Sequence, residues 1–172
     1  MAEVNQQPDG YLYGLKALLF DGKPLGLIDE EGLDWGGDEP ETVKVWSAQK
    51  RAAPVKEIPS SPGTNEIAFD LIHLQPDNLV QVAGGTTSKN GKKWNAPSRV
   101  ITLEGSVQIQ SADGAVTEVV QASLIAYPRG KFNYQEVMKM HCVLTFLTPD
   151  DEETAPYSVD LAPDEEETEP VG

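Results

Sequence analysis

The 172-residue chain is long enough for one domain with a buried core. Its 13 basic and 28 acidic residues give a formal charge of −15, which argues against binding to nucleic acid or to an anionic membrane surface as the main function. The one cysteine excludes an intrachain disulfide, no apolar run is long enough for a membrane span, and the first residues lack the basic and apolar regions of a signal peptide. We expect a soluble protein that is made inside a cell.

The acidic residues are concentrated in two segments. Residues 29–41 contain seven of them and residues 150–169 contain ten, and neither segment contains Lys or Arg. The rest of the chain is therefore close to neutral. We predict a flexible N-terminus at residues 1–10, a single β domain at residues 11–161 and a disordered acidic tail at residues 162–172.

Short strands and turns are predicted in the first part of this domain. Tyr11–Phe20 predicts a strand, Asp21–Pro24 a turn and Pro24–Ile28 a short return strand. Residues 29–40 predict a solvated loop rich in acid and glycine, and their acidic spacing does not match a calcium-binding EF-hand loop. Trp35 in this loop is a candidate interface anchor.

The next segment predicts two strands separated by a connector. Thr42–Ser47 alternates like a strand, whereas the prolines of Ala53–Gly63 disfavour a central position in a sheet. Alternation resumes at Asn65 and ends near His73. His73 is a candidate ligand or base, but no second ligand has a recognisable spacing, so a half-buried, hydrogen-bonded histidine is the simpler interpretation.

A short helix and a hairpin are predicted after this strand. Pro76–Ala83 has proline at its first position and Asp77 in its first turn, and Gly84–Gly85 can end it through a left-handed residue. Asn90–Gly91 then predicts a hairpin over Thr86–Ser98. The tip of this hairpin carries Lys89, Lys92 and Lys93, with Trp94 beside them.

The stretch Arg99–Leu147 predicts three consecutive strands and holds the longest alternation in the chain. Its first strand has one apolar and one polar face, because successive side chains of a strand point to opposite sides. Ser111–Gly114 supplies a turn, and a further two-faced strand begins at Met138. A brief strand is also predicted at Ala155–Leu161. The polar face of the first strand consists of Thr102, Glu104, Ser106, Gln108 and Gln110.

These elements predict a mainly β fold, a β-sandwich or partial barrel with one short α-helix and long hairpin and loop extensions. Nothing in the sequence predicts catalysis. His141 and Cys142 invite a base and nucleophile interpretation, but neighbours on a strand project from opposite faces. Gly84–Gly85 follows a helix rather than preceding one, so it is not a phosphate-binding loop. We predict a protein that is not an enzyme, with no catalytic, cofactor-binding or metal site.

The order of these elements and several short strings resemble the tail tube proteins, or major tail proteins, of tailed bacteriophages of the siphophage type. The resemblance covers most of residues 11–161, and the acidic C-terminal tail departs from it. It is a pattern of elements rather than a catalytic signature. The strings are Lys23–Gly26, Val43–Val45, Pro76–Val80 before Gly84–Gly85, Trp94–Pro97 and Ala126–Glu136.

The resemblance implies a structural role in the virion tail. Proteins of this family form rings, usually hexameric, whose sheets join into a continuous β-barrel, and the rings stack into a hollow tube for DNA passage. The implied partners are further copies of the chain and other tail proteins, such as the tape measure and tail-terminating proteins, with DNA only in transit. A polar face without basic side chains fits such a conduit, because it offers phosphate nothing to bind.

Two sets of residues follow as candidate sites. The polar face from Thr102 to Gln110 is predicted to line the lumen. The basic hairpin tip is predicted to contact the acidic loop of a neighbouring ring, because their charges are opposite. The residues of this predicted inter-ring contact are Lys89, Lys92, Lys93, Asp29, Glu30, Glu31, Asp34 and Trp35.

Two alternative functions remain open from the sequence. A monomeric β-sandwich binding module would use Trp35 and Trp94 as platforms on which a ligand stacks. A tube protein of a contractile tail or of a secretion system would share the predicted fold. Measurement of particle size separates the first alternative from a tube subunit.

Overall fold

The computed structural model describes residues 9–161, and within them the fold is mainly β with one short helix, as predicted. Residues 1–8 of the predicted flexible N-terminus lie outside the described residues, and so does the whole predicted C-terminal tail, residues 162–172. The elements are β1 (Ala17–Phe20), β2 (Lys23–Pro24), β3 (Asp34–Gly36), β4 (Glu41–Val45), β5 (Lys56–Ser61), β6 (Glu66–Leu71), α1 (Pro76–Ala83), β7 (Thr86–Ser88), β8 (Lys93–Asn95), β9 (Leu103–Gln110), β10 (Val116–Arg129), β11 (Lys139–Phe146) and β12 (Tyr157–Asp160).

Eight of these strands form one antiparallel sheet. Seven follow the order β2-β1-β9-β10-β11-β6-β3, and β12 branches from β10. The predicted three-strand stretch is confirmed as β9, β10 and β11, which are consecutive both in the chain and in the sheet. The strands β4 and β5 form a separate two-stranded ribbon, and so do β7 and β8.

Strand β10 gives the sheet its sandwich-like form. Its first half pairs with β9 and β12, and its second half pairs with β9 and β11. Between Val119 and Ala122 the register shifts. Thr117 and Val119 face the core before the shift, and Ala122 and Leu124 face it afterwards. A bulge of this kind bends and twists a strand, so one strand serves both halves of the fold.

The hydrophobic core fills the space between the two halves of the fold that β10 connects and helix α1. Leu124 is fully buried, and it lies between Leu103 on β9 and Leu144 on β11. Helix α1 has the predicted bounds and buries Leu79, Val82 and Ala83. The core cluster comprises Leu18, Phe20, Leu25, Ile67, Phe69, Leu71, Leu79, Val82, Ala83, Val107, Val119, Ala122, Leu124, Ala126, Met140, Cys142 and Leu144.

The N-terminal part of the domain differs from the prediction. The predicted strand Tyr11–Phe20 is wrong in its first half, because only Ala17–Phe20 is a strand. Gly14 adopts φ +72° and interrupts the extended backbone, although the N–H of Ala112 still donates to the carbonyl of Tyr13 over 3.2 Å. The predicted return strand Pro24–Ile28 is wrong beyond Pro24, because β2 covers only Lys23–Pro24 and so lies within the predicted turn.

The acidic loop differs as well, because it is partly built into the sheet. Its residues Asp34–Gly36 form strand β3 on the free edge of β6. Just before the loop, Ile28 bridges to Leu71, and the N–H of Asp29 donates to the carbonyl of Asp70. The loop therefore covers an edge strand, which otherwise exposes unpaired backbone groups.

Candidate assembly surfaces

A two-stranded arm, residues 41–61, projects from the domain and exposes apolar side chains. Within the described residues its strands β4 and β5 pair only with each other. Val43 lies opposite Ile58, and Val45 follows on the same face. All three are 40–53% exposed, and Trp46 and Val55 at the far end are more than half exposed. An isolated two-stranded hairpin is marginally stable in water, so this arm presents an apolar surface suited to association.

Hydrogen bonds join the two segments at the base of the arm. The N–H of Asp38 donates to the hydroxyl of Thr64 over 2.9 Å, and the N–H of Thr64 donates to the carbonyl of Asp38 over 3.0 Å. Gly37 adopts φ +122°, and a Cβ there would collide with the backbone carbonyl of Thr64. The two segments of the chain that lead into and out of the arm therefore leave the sheet side by side.

The end of the arm is basic. Lys50 closes the turn and Arg51 follows it, and residues 46–55 contain no acidic side chain. The carbonyl of Ser47 accepts the N–H of Lys50, which closes the turn. The sequence interpretation missed this surface, although a signal was present. The alternation of Thr42–Ser47 placed valines on one face. The prolines that follow argued against a strand in the connector, so the partner strand β5 was not predicted.

An apolar groove of about 760 Å³ lies between segments 12–18 and 26–33. Two of its apolar lining residues are exposed, Leu12 at 47% and Leu27 at 61%. The acidic side chains Asp29, Glu30 and Glu31 also line it, against a single basic residue, Lys16. This combination of apolar walls and acidic rim suits a ligand segment that is apolar and basic.

Asp29, one of the predicted inter-ring residues, already has a partner in its own chain. Its Oδ2 lies 3.0 Å from Nζ of Lys139 at the start of β11. The hydrogen bond lowers the pKa of the Asp29 carboxyl and raises the pKa of the Lys139 ammonium. Asp29 is therefore already engaged within its own chain. Glu30 and Glu31 form no ion pair within residues 9–161.

Replacing Lys139 with Met is expected to lower stability near neutral pH by a modest amount. The pKa of the Asp29 carboxyl is lower in the folded protein than its ordinary value of 3.8. The ion pair therefore stabilises the fold at pH values above 3.8, and this stabilisation is lost as the pH falls below that value. The pKa of the Lys139 ammonium is higher in the folded protein than its ordinary value of 10.5. The ion pair therefore also stabilises the fold at pH values below 10.5, and this stabilisation is lost as the pH rises above that value. Urea unfolding of both proteins at several pH values measures the difference. A difference that does not change with pH would assign the effect to packing of the lysine stem.

Trp35, the predicted anchor, is held by an aromatic cluster. It lies on β3, and its ring centroid is 5.0 Å from that of Phe146 and 5.4 Å from that of Tyr157. Its Nε1 donates to Oδ1 of Asn65 over 3.1 Å. The indole remains 43% exposed and lines the groove. Trp35 therefore connects three strands, and part of its surface stays exposed for contact with another molecule.

The lysine hairpin forms as predicted. Strands β7 and β8 pair across a turn in which Lys89, Asn90 and Gly91 have positive φ. All three predicted lysines are exposed at or beside this turn. Trp94 is different, because its Nε1 donates to the carbonyl of Gly84 over 2.8 Å and its ring packs on the core. This position does not favour Trp94 as a platform for a ligand.

The polar face predicted to line a lumen is solvent-facing in this chain. Glu104 and Ser106 are exposed, whereas Gln108 and Gln110 are partly buried. Nε2 of Gln108 donates to Glu118 over 3.2 Å, and Nε2 of Gln110 donates to Gln108 over 3.1 Å. Thr102 is exposed immediately before the strand. The face is thus an ordered polar row.

The residues considered for catalysis do not converge. Nδ1 of His141 lies 2.8 Å from Oδ1 of Asp70 on one face of the sheet, and Cys142 is fully buried on the other. Burial raises the pKa of the Cys142 thiol to about 12, so the thiol is a poor nucleophile. His73 is exposed rather than half-buried, with its Nε2 3.3 Å from Nε2 of Gln75.

The loop between β10 and β11 is a further exposed apolar segment. Phe132 is 91% exposed and Tyr134 is completely exposed. Oδ1 of Asn133 accepts the N–H groups of Gln135 and Glu136, so the loop has local order. Aromatic side chains in such a setting are typical of contact surfaces.

Neither the site chemistry nor the comparisons with known proteins assign a function. In residues 9–161, no group of three or more His, Cys, Asp or Glu side chains is placed to hold a metal ion. The same residues include no helix long and apolar enough to cross a membrane. No protein-family model matches the chain, and a search of curated proteins found no similar protein. Function therefore has to be inferred from the chain's own geometry.

Proposed function

We propose that the protein is a structural, self-assembling subunit of a phage tail tube, which forms rings that stack into a hollow conduit for DNA. The observation that carries this proposal is the arm, residues 41–61. Its apolar side chains are exposed in the single chain, and the two segments at its base are hydrogen-bonded to each other. An apolar arm that cannot bury its own surface gains stability when a neighbour covers it.

Two further features support a subunit of an assembly. Among residues 9–161, strand β12 pairs with β10, and its residues Tyr157–Val159 are exposed. An exposed strand at the edge of a sheet can pair with a strand of another copy. The polar row on β9 carries amide, hydroxyl and carboxylate groups and no cation. Such a surface has no positive charge to attract phosphate, so DNA can move past it without electrostatic binding. The resemblance of the sequence to tail tube proteins joins these features in one function.

Negative-stain imaging and size measurement of the purified protein test the proposal. Rings or tubes, increasing with protein concentration, are the expected result. A protein that stays monomeric at high concentration would contradict it and would favour a binding module. Imaging is preferable to an activity assay because the proposed product is a particle of defined shape.

Cysteine labelling tests the position of the polar face. In assembled tubes, Glu104→Cys, Ser106→Cys and Gln108→Cys are expected to react with small maleimides and to resist a maleimide too bulky to enter the tube. The same variants as free subunits should react with both reagents. Cys142 contributes little background, because it is buried and its thiol pKa is raised to about 12. Free reaction of assembled tubes with the bulky reagent would place this face outside.

A further inference from the structure

We propose that the tip of the arm, residues 46–55, occupies the acidic-rimmed groove of a second copy of the chain. This inference rests on the proposed self-assembly, because it requires a second copy, and it names the surface that receives the arm. The arm tip and the groove are both exposed in the single chain, and their surfaces are complementary.

The first complementary property is apolar surface. Trp46 and Val55 are 58% and 51% exposed at the end of the arm, and Leu12 and Leu27 are exposed in the groove. The groove volume of about 760 Å³ is within the roughly 300–1,000 Å³ of pockets that bind compact ligands. It has room for the indole of Trp46 together with a smaller apolar side chain. An aromatic anchor in such a pocket is the usual centre of a protein interface.

The second complementary property is charge. Lys50 and Arg51 are exposed at the turn of the arm, and Glu30 and Glu31 are exposed at the groove. None of these four side chains forms an ion pair within residues 9–161. Asp29, the third acidic residue of the groove, is paired with Lys139, so Glu30 and Glu31 are the groups left to meet a cation. Opposite charges on two exposed surfaces favour their association and set its orientation.

The lysine hairpin is the competing partner for the same acidic residues. Its tip also carries cations, but its tryptophan is packed on the core and donates to the carbonyl of Gly84. The hairpin tip, residues 88–93, therefore has charge without an apolar anchor. The arm tip has both, and only the arm matches an acidic groove with apolar walls.

Charge exchange tests the assignment. Lys50→Glu/Arg51→Glu and Glu30→Lys/Glu31→Lys are each expected to abolish rings and tubes at low salt, and the combined four-residue variant is expected to restore them. Circular dichroism of each variant should match that of the native protein, because all four side chains are exposed. Lys92→Glu/Lys93→Glu tests the competing hairpin contact, and this variant is expected to assemble because the arm rather than the hairpin meets the acidic groove. Low salt is needed because exposed charge pairs are screened at higher ionic strength.

The outcomes separate this inference from the proposed function. If the native protein assembles and the Lys50→Glu/Arg51→Glu variant assembles equally well, the arm does not occupy the groove but the tube function stands. If only the lysine hairpin variant fails to assemble, the hairpin is the partner of the acidic loop. If the native protein never assembles, both proposals are wrong.

A cross-linking experiment gives an independent measurement. Chains carrying Ala48→Cys in the arm are mixed with chains carrying Leu27→Cys in the groove, under oxidising conditions. Disulfide-linked dimers of the two chains are expected. They should be absent when the second chain carries Lys92→Cys instead of Leu27→Cys. Cys142 is buried and does not compete. Equal cross-linking to both positions would overturn the assignment.

Discussion

Replacing residues 46–55 with Asn-Gly is expected to leave the domain folded and to abolish assembly. Val45 and Lys56 are directly paired, so a two-residue turn can connect them without changing the register of β4 and β5. No residue of the core cluster is removed. A shorter loop also costs less closure entropy, so the thermal midpoint is expected to stay the same or to rise slightly. Size-exclusion chromatography and imaging measure the loss of assembly.

The control for this replacement keeps the length of the arm and changes only its anchor. Trp46→Ser removes the large apolar side chain at the tip and should weaken assembly without changing the fold, since Trp46 is exposed. If the shortened protein forms rings and tubes like the native one, the arm is not the assembly surface. Aggregation of the shortened protein would instead indicate that the arm is needed for the fold.

Leu124→Ala is expected to destabilise the domain by about 2–5 kcal/mol, because the substitution leaves a cavity where a fully buried side chain was packed. Leu124 lies between the cross-strand neighbours Leu103 and Leu144 in the middle of the sheet. Urea unfolding measures the change, with an unchanged denaturant dependence if the native fold is kept.

The matched control for Leu124 is an exposed strand position. Val159 on β12 is 46% exposed, and Val159→Ala is expected to change stability by about 0.5 kcal/mol or less. Equal losses for the two variants would contradict the position of Leu124 in the core. The comparison separates loss of core packing from the general effect of placing alanine in a strand.

Local patterns in the sequence predicted much of the fold. Helix α1 agrees with the prediction at both ends, since Pro76 and Gly84 mark its boundaries directly in the sequence. The turn at Gly114 and the hairpin at Asn90–Gly91 also agree, because positive φ favours these residue types. The alternation of β9 and β11 identified their apolar faces, because successive side chains of a strand point to opposite sides of the sheet.

Features that depend on distant residues were not predictable in this way. At the bulge in β10 two residues separate the buried positions Val119 and Ala122, and only pairing with β9 shows that the strand continues through it. The ion pair of Asp29 and Lys139 joins positions 110 residues apart. The groove likewise needs two segments that the sheet brings together. Of the candidate site, therefore, the sequence identified the acidic residues of the groove, but not its apolar walls or the basic tip of the arm.

The order of strands has a consequence for how the chain folds. Strands β9, β10 and β11 are joined in sequence and paired in the same order, so their contacts close short loops. By contrast, β1 pairs with β9 and β6 pairs with β11 over long separations, which cost more closure entropy. We expect the three-strand meander to form early and the other strands to dock on it. Conservative substitutions at Leu144 would then slow refolding, whereas those at Leu18 would mainly speed unfolding.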